Sequence, residues 1–249
     1  MKSLLLALQF FSIVPVHKNL PMENREISGM YSLFPWIGAG IGAIACLGLY
    51  FEWSTLMTSF SIVFLGILLS GGLHMDGFID TSDAFFSYRD RIKRYEILDD
   101  PRVGAFGVMA VVLLVVGKVI IVSEVLAAQT FHWIFVLLIP FFSRATLTMV
   151  FVLTRSAKES GLAYFFKQRM NTNMLIFATA CNYFAGLFFI GWFTEWLIAI
   201  TFAAVLIVFI CLFRHWAMKN FGGVTGDLLG ASVEVSEVVL WMTLLLLLS

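Results

Sequence analysis

Asp76, Asp80 and Asp83 stand at i, i+4 and i+7 in the stretch LHMDGFIDTSDAFF. On a helix, at about 100° per residue, they fall within a stripe roughly 60° wide. Like charges at that spacing repel one another. The residues around them, Phe78, Ile79, Ala84, Phe85 and Phe86, do not make a solvated face. A divalent cation would neutralise the stripe, and an all-oxygen donor set suits Mg²⁺ or Mn²⁺ and not zinc. Asp76, Asp80 and Asp83 are therefore expected to be metal ligands. His74, just ahead of the stripe, reads equally as a polar partner to it or as a plain interfacial histidine. Asp90 continues the stripe if the helix continues, but Arg89, Arg91, Lys93 and Arg94 surround it as ordinary loop charge.

Two further stretches carry polar groups in an apolar setting. In Asp99-Asp100-Pro101-Arg102, the proline biases Asp100 out of the helical region, so a turn presents carboxylates and a guanidinium together. An arginine beside an acidic metal cluster is what phosphoryl transfer uses to hold oxyanions. In Phe221–Glu237, FGGVTGDLLGASVEVSE, Asp227 and Glu234 share a face with Gly230 and Ala231, and Glu237 lies a turn further on. Gly222, Gly223 and Gly226 permit close backbone approach to a bulky anion. Arg144 and Lys118 fall within apolar runs, where an anionic partner is expected for each.

The elements that position these groups must lie in a membrane. Of 249 residues, 60% are hydrophobic and only 13% charged, against about 25% charged in a soluble domain. Seven apolar runs have spanning length: Tyr31–Phe51, Leu56–Leu73, Gly104–Val122, Phe131–Leu153, Met174–Phe193, Trp196–Phe213 and about Leu228–Leu248. The connections after the first, third and fifth contain Glu52, Glu124 and Glu195 and no basic residue. All other Lys and Arg outside the spans, from Lys2, Lys18 and Arg25 to Arg214 and Lys219, fall on the opposite side. Basic residues stay cytosolic, so the expectation is an all-α polytopic bundle of about seven transmembrane helices with a cytosolic amino terminus. Residues 1–249 are read as one membrane domain, with Met1–Val16 as an interfacial or half-inserted helix and no cleavable signal.

At zero net charge no basic patch points to nucleic acid, and Cys46, Cys181 and Cys211 read as apolar packers. Gly38 and Gly42 have the small-xxx-small spacing of close helix packing. The acids are read as gathering at one membrane edge, with none near the middle of a span.

These residues resemble the cobalamin synthase family, the adenosylcobinamide-GDP ribazoletransferases of vitamin B12 assembly. The resemblance rests on GGLHMDGFIDTSDAF at Gly71–Phe85, DDPRVGAFG at Asp99–Gly107 and GGVTGDLLGASVEVSE at Gly222–Glu237. FFSIVPV at Phe10–Val16, FPWIGAGIG at Phe34–Gly42 and SGLAYFF at Ser160–Phe166 match more weakly. The resemblance implies a displacement at phosphorus: α-ribazole or its 5′-phosphate attacks adenosylcobinamide-GDP, GMP leaves, and adenosylcobalamin or its 5′-phosphate forms. It implies Mg²⁺ as cofactor and a multi-pass protein of the bacterial inner membrane with its site facing the cytosol. Asp76, Asp80, Asp83 and Arg102 would be catalytic. His74, Asp100, Arg144, Gly223, Thr225, Asp227 and Glu234 would bind substrate. One alternative is a CDP-alcohol phosphotransferase of phospholipid synthesis, whose D-x-x-D-G-x-x-A-R pattern is broken here by Leu73 and by Asp80-Thr81. The other is a divalent-cation or proton-coupled transporter.

Overall fold

The computed structural model describes residues 1–87 and 89–249, which form eleven α-helices and no strand. Six helices are long and apolar enough to cross a bilayer. They are α2 (Asn24–Ala45, prolonged by a 3-10 turn over Cys46–Tyr50), α6 (Ala105–Ala127), α7 (Ile134–Leu153), α9 (Thr172–Phe193), α10 (Trp196–Phe221) and α11 (Gly226–Leu248). The expected second span divides into α3 (Thr55–Leu69) and α4 (Leu73–Phe86), bent from each other by 91°. It ends at Leu69, not at Leu73. The cause is Gly71 and Gly72, both left-handed at φ 68° and 72°. Their amides donate to the carbonyls of Leu68 and Ile67 at 3.0 Å each, the crossed pair of a glycine-terminated helix. The turn throws α4, with its three aspartates, out of line with the span, and α4 lies across the end of the bundle.

Close backbone contact ties the spans together. α2 and α7 form the most extensive helix pair. A Cβ at Gly38 would run into the Pro140 carbonyl, and one at Gly42 into that of Val136, so the small-residue pair is the seam of this crossing. The short helices α1 (Lys2–Phe11), α5 (Arg91–Leu98) and α8 (Gly161–Arg169) gather at the end where α4 lies. Phe11, Tyr31, Phe34, Phe151 and Phe166 form one buried aromatic group there, drawn from α1, α2, α7 and α8. α5 is anchored by the Tyr95 hydroxyl, which donates toward the carbonyls of Ala157 (3.2 Å) and Phe221.

Candidate active site

The first turn of α4 lies on the first turn of α11. A Cβ at Gly77 would come within 2.7 Å of the Asp227 carbonyl oxygen, and one at Gly230 within 3.1 Å of that of His74. Only glycine allows this approach, and it places Asp76, in the first turn of α4, beside Asp227, in the first turn of α11. Thr225 caps α11: its hydroxyl accepts from the Leu228 amide at 3.3 Å and lies 3.2 Å from the Asp227 carboxylate. Two helix amino termini thus meet at one place, each favouring negative charge. Asp80 faces the same group. Burial, then the charges of Asp76, Asp227 and Asp83, raise its pKa to about 6. None of Asp76, Asp80 and Asp227 has a salt-bridge partner among the described residues.

Asp83 is held differently. It is buried, and its two oxygens accept from the amides of Gly104 (2.6 Å) and Gly107 (3.0 Å). These are the N-cap and third residues of α6, so Asp83 caps that helix from α4. A side chain at Gly107 would strike this carboxylate, at 2.6 Å.

Two adjoining cavities open around Asp76 and Asp227. The first, about 180 Å³, is lined by Asp76, His74 and Asp227 and otherwise by apolar side chains, among them Phe10, Phe11, Tyr31, Leu147 and Phe166. The second, about 280 Å³, is polar and lined by Asp99, Lys158, Ser160, Tyr164, Thr225 and Asp227. Leu162, Ala163, Gly226 and Asp227 line both. Lys158 donates to Asp99 at 2.7 Å and its charge also reaches Asp227. Reading the sequence as loop charge missed Lys158. The signal available was its place just before Ser160–Phe166. His74 is buried, its Nε2 has no hydrogen-bond partner among the described residues, and burial followed by the charge of Arg144 lowers its pKa to about 3, so the imidazole is neutral.

The other expected site residues lie elsewhere. Arg102 is held on the surface by Asp100, through contacts of 2.9 and 2.6 Å, and this pair keeps the Asp100 carboxyl down at about 2. Neither residue lines a cavity described above. Gly223 lies against the Arg155–Ala157 backbone, with Val224 and Ser156 in an isolated parallel bridge. Its lack of a side chain serves that contact. Arg144 and Glu234 join Lys118 and Glu237 in a buried cluster between α6, α7 and α11. Lys118 donates to Glu234 (2.6 Å) and Glu237 (2.9 Å), and Arg144 pairs with Glu237. Glu237 is halfway along α11. The expectation that no span carries an acid near its middle is therefore corrected: two facing cations make the charge tolerable there.

The donor chemistry fits a hard divalent cation, because Asp76, Asp80 and Asp227 gather oxygen donors that have no salt-bridge partner among the described residues. Among the described residues no three Asp, Glu, His or Cys side chains close on a metal position. An open set of that kind suits Mg²⁺, which is usually held by one or two carboxylates together with substrate phosphates.

The chain is similar to proteins of known name over almost its whole length. A protein of Geobacillus thermodenitrificans named adenosylcobinamide-GDP ribazoletransferase is 34% identical over 245 residues, covering 95% of this chain and 92% of the relative. Proteins of the same name from Halalkalibacterium halodurans and Clostridioides difficile are 32% and 31% identical, covering 97% and 96% of this chain. No solved structure matches. The family model for cobalamin-5-phosphate synthase matches residues 3–245, and the chain belongs to that family.

Proposed function

We propose that this protein is an adenosylcobinamide-GDP ribazoletransferase of cobalamin biosynthesis, working at the α4–α11 crossing on the cytosolic side of a bacterial inner membrane. The observation that carries the reading is the meeting of Asp76 and Asp227, each in the first turn of its helix, with Asp80 one turn further along α4. A ribose hydroxyl of α-ribazole, or of its 5′-phosphate, bonds through oxygen to the corrinoid-side phosphorus. The phosphoanhydride bond to GMP breaks, GMP departs with the bridging oxygen, and the hydroxyl proton passes to a carboxylate of the group. Mg²⁺ held by Asp76, Asp80 and Asp227 would neutralise charge on the phosphate oxygens. Asp83 positions these carboxylates by locking α4 to α6.

The test is purified protein with adenosylcobinamide-GDP, α-ribazole and Mg²⁺. GMP and a cobalamin should form in equal amounts, EDTA should stop turnover, and Mg²⁺ or Mn²⁺ should restore it. Turnover of CDP-diacylglycerol with an alcohol instead, or full activity in chelator, would overturn the reading or its metal.

A further inference from the structure

The two cavities differ in chemistry and share one wall, and the shared wall carries a reacting-site carboxylate, Asp227. We infer that they divide the two substrates: the aromatic cavity takes the base of the riboside, and the polar cavity takes the phosphoanhydride of the nucleotide donor. This rests on the transferase reading and adds where each substrate sits.

Ribazole is an N-riboside of an apolar fused aromatic base, with polarity confined to its sugar. The aromatic cavity has the same division, with Phe11, Tyr31, Leu147 and Phe166 away from Asp76 and Asp227. Its volume of about 180 Å³ suits one small aromatic system, since an apolar cavity of about 150 Å³ takes a benzene ring. Its wall also holds His74. With the base seated there, the sugar lies toward the carboxylates.

The polar cavity is larger and carries Lys158, the one lysine or arginine lining either cavity among the described residues. A phosphate chain entering it would meet Lys158 first, displacing Asp99, and then reach the first turn of α11. The oxygen–phosphorus bond then forms and the phosphoanhydride bond breaks at Asp227, where the cavities join.

Substitutions that act on one cavity should separate the substrates. Leu147→Phe crowds only the aromatic cavity. It should raise KM for ribazole about tenfold, raise it less for the riboside of unsubstituted benzimidazole, and leave KM for adenosylcobinamide-GDP within about twofold. Lys158→Gln should do the reverse, raising KM for the donor about tenfold and sparing ribazole. Ribazole alone, added without donor or metal, should raise the melting temperature of wild type and of Lys158→Gln but not of Leu147→Phe. If Leu147→Phe does not fold, Phe166→Leu enlarges the same cavity and should weaken ribazole selectively. Equal rises in both KM values, or the opposite pairing of variant and substrate, would overturn the division. A wild-type protein that makes no cobalamin would instead overturn the transferase reading itself.

Discussion

Asp80 and Asp83 lie less than one helical turn apart on α4 and are held in opposite ways. Asp83 is satisfied by two amides, whereas Asp80 is partly buried among three other carboxylates. Asp80→Asn should cut turnover by about 10²-fold or more, yet raise the melting temperature of the metal-free protein at pH 7. The sign follows from linkage. The folded pKa of Asp80, about 6, lies above its unfolded value. Between about pH 4 and 6 the folded chain holds a proton that the unfolded chain has lost, so stability falls as pH rises through that window. The advantage of the variant should vanish below about pH 4, as thermal scans across pH would show. Asp83→Asn should instead cost about 1–2 kcal/mol of stability by presenting an NH₂ group to an amide. Its turnover per folded molecule should fall much less than that of Asp80→Asn. Equal inactivity at equal folding would put Asp83 at the reacting atoms.

At the scale of helices, α6, α7 and α11 are joined by charge as well as by apolar packing. Lys118, Arg144, Glu234 and Glu237 sum to zero and are largely withdrawn from solvent. Such a cluster adds little net stability over apolar packing, but breaking one side leaves an unbalanced buried charge. Lys118→Met alone should cost about 3–5 kcal/mol, read as less folded protein in the membrane and faster unfolding in detergent. Lys118→Met combined with Glu234→Met restores the balance and should recover much of that loss, a coupling that a double-mutant cycle measures. Turnover per folded molecule should change little in either. Abolished turnover with unchanged stability would move the cluster into the chemistry.

For the whole molecule, the basic connections fall at the end where α1, α4, α5 and α8 gather, and the opposite connections carry no Lys or Arg. Reporters fused after Arg91 and Lys167 should stay cytosolic, and those after Glu124 and Glu195 should be exported. An exported reporter after Lys167 would put the α4–α11 crossing on the wrong side for a cytosolic nucleotide. The bent α3–α4 pair counts here as one crossing, the seventh beside the six long helices.

Run length already determines an all-helical bundle of six or seven apolar spans, because the cost of burying charge in hydrocarbon acts residue by residue. The aspartate stripe and the α11 acids were legible for the same reason: each is an expense that local surroundings do not explain. Their partners were not. That Asp83 faces amides, that Glu234 faces Lys118 across 116 positions, and that Asp227 meets Asp76 depend on which helices touch. Gly77 and Gly230 decide that by the space they leave, which no periodicity reveals. The tertiary structure alone therefore separated one row of carboxylates into a helix cap, Asp83, and a group without salt-bridge partners among the described residues, and made Phe10–Phe11 and Ser160–Phe166 walls of the same cavities.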